Sequence, residues 1–432
     1  MNNKDTNHNS LKKATNMKEL FNTFNPRIVL KEKDHDFFVN IFEDELKSFA
    51  DDLIYSDFTK ETFFVVGQIG NGKSSSLNML GFLHPQILEK YDFKYIEGKR
   101  AFEYLPSIDV ADILFHLAYE IIKDDDELSE EFTNALDELE KKHNNEIEQK
   151  LETVNVRESE INLKGSIGIG TNILNLFKSK VDFRAEYGLN EELRKSAVEF
   201  FRFKKQDLMK LLNDIILKYK IKNNKELIVV IDDLEKRDDV NHLFTQSYQF
   251  PLLNSLEIIK IIATPVYLAR GTKLNFGEVK EFALKLKNKD NSPCEKDFDL
   301  LKQVINSRLG NKKLISEELI AKIIKSSGAN INQLVYLMHK SALSAIESDF
   351  INEEDVESAI HTTTRSLSSF VQNQARFLDD IRNKKVDLSA EENLAKIQKA
   401  TKNGVLFAYF NTDVWYKINP LCENSLDFHL PK

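Results

Sequence analysis

Thr62-Phe-Phe-Val-Val-Gly-Gln-Ile-Gly-Asn-Gly-Lys-Ser-Ser-Ser-Leu-Asn-Met-Leu80 is the stretch that decides how this chain folds. An apolar run meets a glycine turn and then helical spacing. Residues Gly67, Gln68, Ile69, Gly70, Asn71, Gly72, Lys73 and Ser74 match G-x-x-x-x-G-K-[ST] at every fixed position. The glycines let the backbone wrap closely enough to aim successive N–H groups at phosphate oxygens, and the helix that follows turns its positive end to the same point. Lys73 is placed to reach the β and γ phosphates as a point charge, and Ser74 to put its hydroxyl on Mg²⁺. Ser75 and Ser76 are further candidates for the α phosphate. The expected guest is a nucleoside triphosphate with its magnesium.

The second decisive stretch is Glu226-Leu-Ile-Val-Val-Ile-Asp-Asp-Leu-Glu-Lys-Arg-Asp238. Five consecutive apolar residues, Leu227 to Ile231, suit a central parallel strand buried on both faces. Asp232 and Asp233 emerge at its carboxyl end, where open α/β sheets place their ligands. Asp232 is the metal-side candidate. Asp233 is the candidate base for an attacking water, with Glu235 as its competitor. Glu257 to Pro265 forms another strand ending in a polar residue, Thr264, and Val279 to Leu286 a further one. Strands alternating with helices predict an α/β fold, a parallel sheet with helices on both faces.

At 432 residues the chain exceeds one ordinary core, and 41% apolar residues fill two or three. A flexible arm is expected over 1–26, then a core over 27–290 with a helical, acidic insertion at about 120–200. A helical domain over 291–368 and a helical or winged-helix-like region over 369–432 follow. Within the first domain, apolar spacing from Phe37 to Ile54 predicts a helix. Others are expected from Ser74 to about Leu83, from Ile108 to Ala118 with Asp109 near its start, and from Ala197 to Tyr219. His116 falls on an apolar face and is read as a packed core histidine. Gly165, Gly168 and Gly170 have the wrong spacing for a second phosphate loop and read as a hairpin or hinge.

The net charge of −9 sits mostly in residues 124–160, where fourteen acids face four bases; that local −10 leaves the rest near +1. Residues 371–432 hold nine Lys or Arg against eight Asp or Glu. Neither is a basic nucleic-acid footprint. No run approaches the ~20 apolar residues that span a bilayer, and the polar start is unlike a signal peptide, so no membrane role and a cytoplasmic location are expected. Cys294 and Cys422 stand alone, which suggests neither a disulfide framework nor a zinc site.

With both signatures placed, the chain resembles the AAA+ or STAND-type ATPases, and more narrowly bacterial ATPases similar to the origin-recognition branch. Gly67 to Ser74, Ile231-Asp232-Asp233, Ile262-Ala263-Thr264-Pro265 and the helical stretches around Leu300–Leu309, Ser326–Leu334 and Phe350–Ile360 carry the likeness. It implies ATP and Mg²⁺ as ligands, a helical lid over the nucleotide, Thr264 as the residue that feels the γ phosphate, and an arginine finger from a neighbouring subunit. Arg237, Arg270 and Arg308 are the candidates. The lid stretch that often carries an arginine in the family offers Asn330, Asn332 and Gln333 here, and an amide cannot neutralise a phosphate. The resemblance also implies a nucleotide-dependent switch or assembly motor, a homo-oligomer or a separately encoded effector as partner, and bacterial settings such as antiphage defence. A DNA-handling initiator or loader is the alternative. A GTPase is disfavoured, because Asn288-Lys289-Asp290 misses the Asn-Lys-x-Asp spacing.

Overall fold

The structure, a computed structural model, describes residues 11–102, 105, 107–153, 177, 183–237, 243–244, 249–269, 277–387, 390–411 and 413–430. Its centre is a five-stranded sheet in the order β2-β3-β4-β1-β5, every pairing parallel. The strands are β1 (Glu61–Val66), β2 (Tyr91–Glu97), β3 (Glu226–Asp232), β4 (Ile259–Thr264) and β5 (Glu278–Glu281). β1, β3 and β4 are buried almost throughout, as apolar runs covered on both faces must be.

Alternation along each strand deals its residues to two cores. Phe64, Val66, Ile231 and Ile262 join one cluster, while Phe63, Val65, Val230 and Ile261 join the other. The second face is covered by α1 (Met17–Thr23), α2 (Glu43–Tyr55) and α3 (Lys73–Leu83). The first is covered by α4 (Val110–Ile122), α5 (Asp126–Thr153), α6 (Glu191–Phe203) and α7 (Lys205–Asn223). These last four form the insertion between β2 and β3. Asp109 caps α4 by accepting from Ala111 N–H at 3.0 Å. His116 is buried among the rings of Phe102, Phe183 and Tyr187, a core histidine. Arg194 of α6 grips the fully buried Asp112 with two nitrogens at 2.9 and 2.8 Å, and Tyr187 donates to the same carboxylate at 2.8 Å. Paired this way, the buried charge is compensated and locks α6 to α4 within the insertion.

A helical unit of α8 (Glu295–Asn306), α9 (Glu317–Ser327) and α10 (Ile331–Ser344) shares the second core. The long α11 (Glu353–Arg382) leads to α12 (Glu391–Lys402), an antiparallel hairpin of β6 (Leu406–Asn411) and β7 (Asp413–Ile418), and α13 (Glu423–His429). Among the described residues, no helix is long and apolar enough to cross a membrane.

Several expectations shift. The arm is not loose over residues 11–24: Leu20 and Phe24 are fully buried, Ala14 pairs with Leu309, and α1 packs on α10. The helix expected across Phe37–Ile54 is a 3₁₀ segment, Glu32–Phe37, followed by α2. Phe38 is extended and the acidic triplet Glu43-Asp44-Glu45 favours a fresh helix start. The helix expected over Ala197–Tyr219 is divided at Lys204, and β5 ends at Glu281 rather than Leu286. The expected division at 368/369 falls inside the single helix α11. The Gly165–Gly170 stretch lies outside the described residues.

Lys260 is a feature that composition concealed. It is fully buried in β4, its ammonium donating to Leu256 O at 3.2 Å and Ile258 O at 2.8 Å. Burial, helped by nearby Lys60, lowers its pKa to about 7. The unfolded chain therefore holds this proton up to about pH 10.5 while the folded chain releases it near 7. Below the folded value the charge is buried at full cost; between the two values stability rises with pH. Lys260→Met is expected to raise unfolding free energy by about 2–3 kcal/mol at pH 6, the gain shrinking toward pH 9.5. Denaturant midpoints at both pH values check this.

Candidate nucleotide site

The loop after β1 holds its shape through its glycines. Gly70 and Gly72 sit at φ of 87° and 84°, the left-handed region that side chains avoid. Gly67 serves differently: a Cβ there would meet Phe282 O at 2.2 Å, so only a bare backbone fits under the segment that follows β5. α3 begins at Lys73, and its first turn faces back into the loop. Lys73 is buried and its ammonium donates to Gly67 O at 3.0 Å and Gln68 O at 3.1 Å, folded over the cradle it belongs to. Asn71 is 1% exposed, and both terminal atoms of its amide lack a hydrogen-bond partner. Ser75 accepts from Leu30 N–H at 3.2 Å, so it anchors the N-terminal segment on α3 as well as standing near the loop. Ser76 is buried with its hydroxyl unpartnered.

Sheet order brings the distant pieces together. β4 lies between β1 and β3, with Thr264 level with Val66 and Ile231 level with Ile262. Asp232 therefore leaves the sheet at the same end as Gly67, two strand spacings or about 10 Å away along the sheet. Its carboxylate accepts from Asp233 N–H at 2.8 Å. Burial, and then the Asp232 charge, push the Tyr95 phenol well above its ordinary pKa, and that phenol donates to Leu77 O of α3 at 3.2 Å. Asp232 thus faces the helix that the loop begins. Asp233 takes a left-handed backbone, φ 64°, and its carboxylate pairs with Lys236. The side chain of Glu235 lies outside the described residues.

Thr264 is fully buried at the end of β4 and its hydroxyl has no partner. An orphaned hydroxyl in that position is costly unless something else meets it. Together with the glycine-built cradle and the unpartnered Asn71 amide, it fits a phosphate-bearing guest. For a magnesium ion, Ser74 at the helix start and Asp232 across the sheet are the available oxygens. Among the described residues, no group of three or more metal-ligating side chains occurs. A Mg²⁺ ion that keeps several waters needs no larger set.

The helical unit touches the loop directly. Asn330, which caps α10 by accepting from Gln333 N–H at 2.9 Å, donates its amide to Ile69 O at 2.7 Å, and Asn332 N–H donates to Gly70 O at 2.9 Å. Gln333 turns the other way, exchanging amide hydrogen bonds of 3.2 and 3.0 Å with Asn419 beyond β7. Its side chain bonds the C-terminal region and not the loop.

The three arginines separate. Arg237 lines a cleft beside Gly67–Ile69 and donates to Phe102 O at 2.7 Å and Leu105 O at 2.8 Å. Arg270 lies outside the described residues. Arg308 is buried, donates to Val304 O at 2.8 Å and lies over the Phe24 ring, with burial lowering its pKa to about 10. Of the finger candidates, Arg308 is thus enclosed beneath the N-terminal segment. The far wall of the cleft comes from α12, through Gln398, Thr401 and Lys402, and sequence spacing gave no sign of it.

No known family model matches the chain, and no curated protein matches it. Among solved structures it is similar to the Aeropyrum pernix ORC2 protein in ADPNP-ADP complexes, at 10% identity and TM-score 0.41, covering 94% of this chain and 96% of that one. It is also similar to the Aeropyrum pernix ORC1 protein in complex with DNA, at 12% identity, TM-score 0.40 and 95% coverage of both chains. Cdc6p from Pyrobaculum aerophilum follows at 14% identity and TM-score 0.38, covering 94% and 96%. A likeness at these identities and scores assigns no family to the chain.

Proposed function

We propose that this chain binds ATP with Mg²⁺ in the Gly67–Ser74 cradle, hydrolyses it, and uses the change to move the helical unit against the sheet. The observation that carries this is the direct bonding of Asn330 and Asn332 to the carbonyls of Ile69 and Gly70. A loop that reshapes around phosphate pulls on α10 through these bonds, the ordinary way a bound nucleotide biases a two-position element. Lys73 would release its loop carbonyls and turn to the phosphates. Ser74 and Asp232 would hold the metal, which supplies charge neutralisation for the transferred phosphoryl group. Thr264 would direct its hydroxyl to the γ phosphate, and Asp233 would accept the proton of the attacking water. With only amides offered by α10, turnover suits a timed switch more than a fast motor. Self-assembly, or docking of a separately encoded effector as in antiphage systems, is the output this reading favours.

A DNA-handling ATPase would need an exposed basic reader. The C-terminal hairpin buries Phe407, Tyr409 and Trp415 against the rest of the chain, which disfavours it in that role. The test is competition against a fluorescent ATP analogue, with light scattering in ATP and in ADP. ATP is expected to displace the analogue well and GTP poorly, with larger mass or tighter partner binding in ATP. Displacement by GTP alone, or failure of the analogue to bind, overturns the assignment.

A further inference from the structure

The cleft beside the loop is lined by two distant parts of the chain. One side is Gln68, Ile69, Arg237 and Pro265; the other is Thr401 and Lys402 at the end of α12. The module that carries α12 is seated on both bodies that a nucleotide would move. Ala408 and Val414 of its hairpin pack with Val266, two residues beyond Thr264, while Phe407, Tyr409 and Trp415 pack by Ala283. On the lid side, a Cβ at Gly328 would meet Phe407 at 2.5 Å and Pro420 at 2.8 Å, and Gln333 pairs with Asn419. The seat is therefore specified from two directions at once.

Among the described residues, few cationic side chains besides Lys73 stand near the cradle, and one of them, Lys236, pairs with Asp233. α10 presents Asn330, Ile331 and Asn332 to the loop, none charged. Arg308 is enclosed elsewhere, and Arg237 commits two nitrogens to the carbonyls of Phe102 and Leu105. Lys402 is the cationic side chain that α12 contributes to the cleft.

We propose that Lys402 contacts the γ-phosphoryl end of bound ATP from within the same chain, supplying the charge that the lid amides lack and coupling the seat of the C-terminal module to the presence of that phosphate. The inference rests on the ATP assignment above. A lysine on a flexible stem suits this role, since it approaches a phosphate as a point charge and withdraws when the phosphate leaves.

Equilibrium binding of matched fluorescent ATP and ADP analogues to wild-type, Lys402→Ala and Lys402→Arg protein tests it. Lys402→Ala is expected to weaken the ATP analogue about tenfold or more and the ADP analogue by less than about twofold, with Lys402→Arg retaining most of the ATP preference. An equal fall for both nucleotides, the signature of a merely structural residue, overturns the proposal, and so does no fall for either. Mixing Lys402→Ala with Lys73→Met protein separates cis from trans: ATP affinity stays low if the contact is within one chain, and its recovery overturns that placement. Wild-type protein that binds neither analogue removes the ATP assignment itself, a different failure from wild-type binding with Lys402→Ala unchanged.

Discussion

Gly67→Ala is expected to abolish nucleotide binding and to cost the fold about 1–3 kcal/mol. The reason is a collision that no side-chain adjustment relieves. The new methyl would lie 2.2 Å from the backbone oxygen of Phe282 and 3.2 Å from Cδ of Lys73. Phe282 is held in place by its own N–H, which donates to Val66 O at 2.8 Å, so the clash must push either the segment after β5 or the mouth of the loop. Either movement displaces Lys73 from the carbonyls that now position it. Thermal denaturation and titration of a fluorescent ATP analogue read the two effects. Lys73→Met isolates the second: with the stem retained and the charge gone, the fold should stand and triphosphate affinity should fall by about a hundredfold or more, the worth of one to two charge-assisted hydrogen bonds. Normal binding by either variant would mean that the phosphates sit elsewhere.

The parts of this site that were legible in the sequence are those whose cause is local. Phe63 to Val66 followed by Gly67, and Leu227 to Ile231 followed by Asp232, announce buried strands that end at the loop and at the acid pair, because four or five apolar residues in a row leave few other places to go. Thr264 was legible as the polar end of the strand expected over Glu257 to Pro265, though its position between the two signatures is set by β4 inserting into the sheet. What could not be read is what distant segments do to one another. Gly67 is forced by Phe282, Gly70 by Asn330 and Asn332, and Gly328 by Phe407, with no periodicity linking any pair. The burial of Arg308 under Phe24 and the return of α12 to the loop are of this kind too. The N-terminal arm misled for a subtler reason. Met17, Leu20 and Phe24 are sparse among polar residues, yet they suffice for one short helix because α10 and Leu309 supply the other half of the contact.

Thr264→Val should separate stability from function in opposite directions. In the free protein the Thr264 hydroxyl is fully buried and unpartnered, which carries a desolvation penalty with no return bond. Valine keeps the β-branched shape that suits a central strand and removes the oxygen, so the variant is expected to be more stable by about 1–2 kcal/mol. Natural strands seldom keep such a group without use, and the neighbouring geometry supplies one: level with Val66 and one strand from Asp232, it stands where the end of a triphosphate would meet the sheet. Phosphate release should therefore fall by about ten- to a hundredfold while ADP affinity holds, since the bond is made to the γ phosphate alone. Denaturant midpoints and single-turnover hydrolysis measure the pair. A variant that loses stability would show that the hydroxyl already has a partner in the folded chain, and one that hydrolyses ATP at the wild-type rate would take Thr264 out of the chemistry.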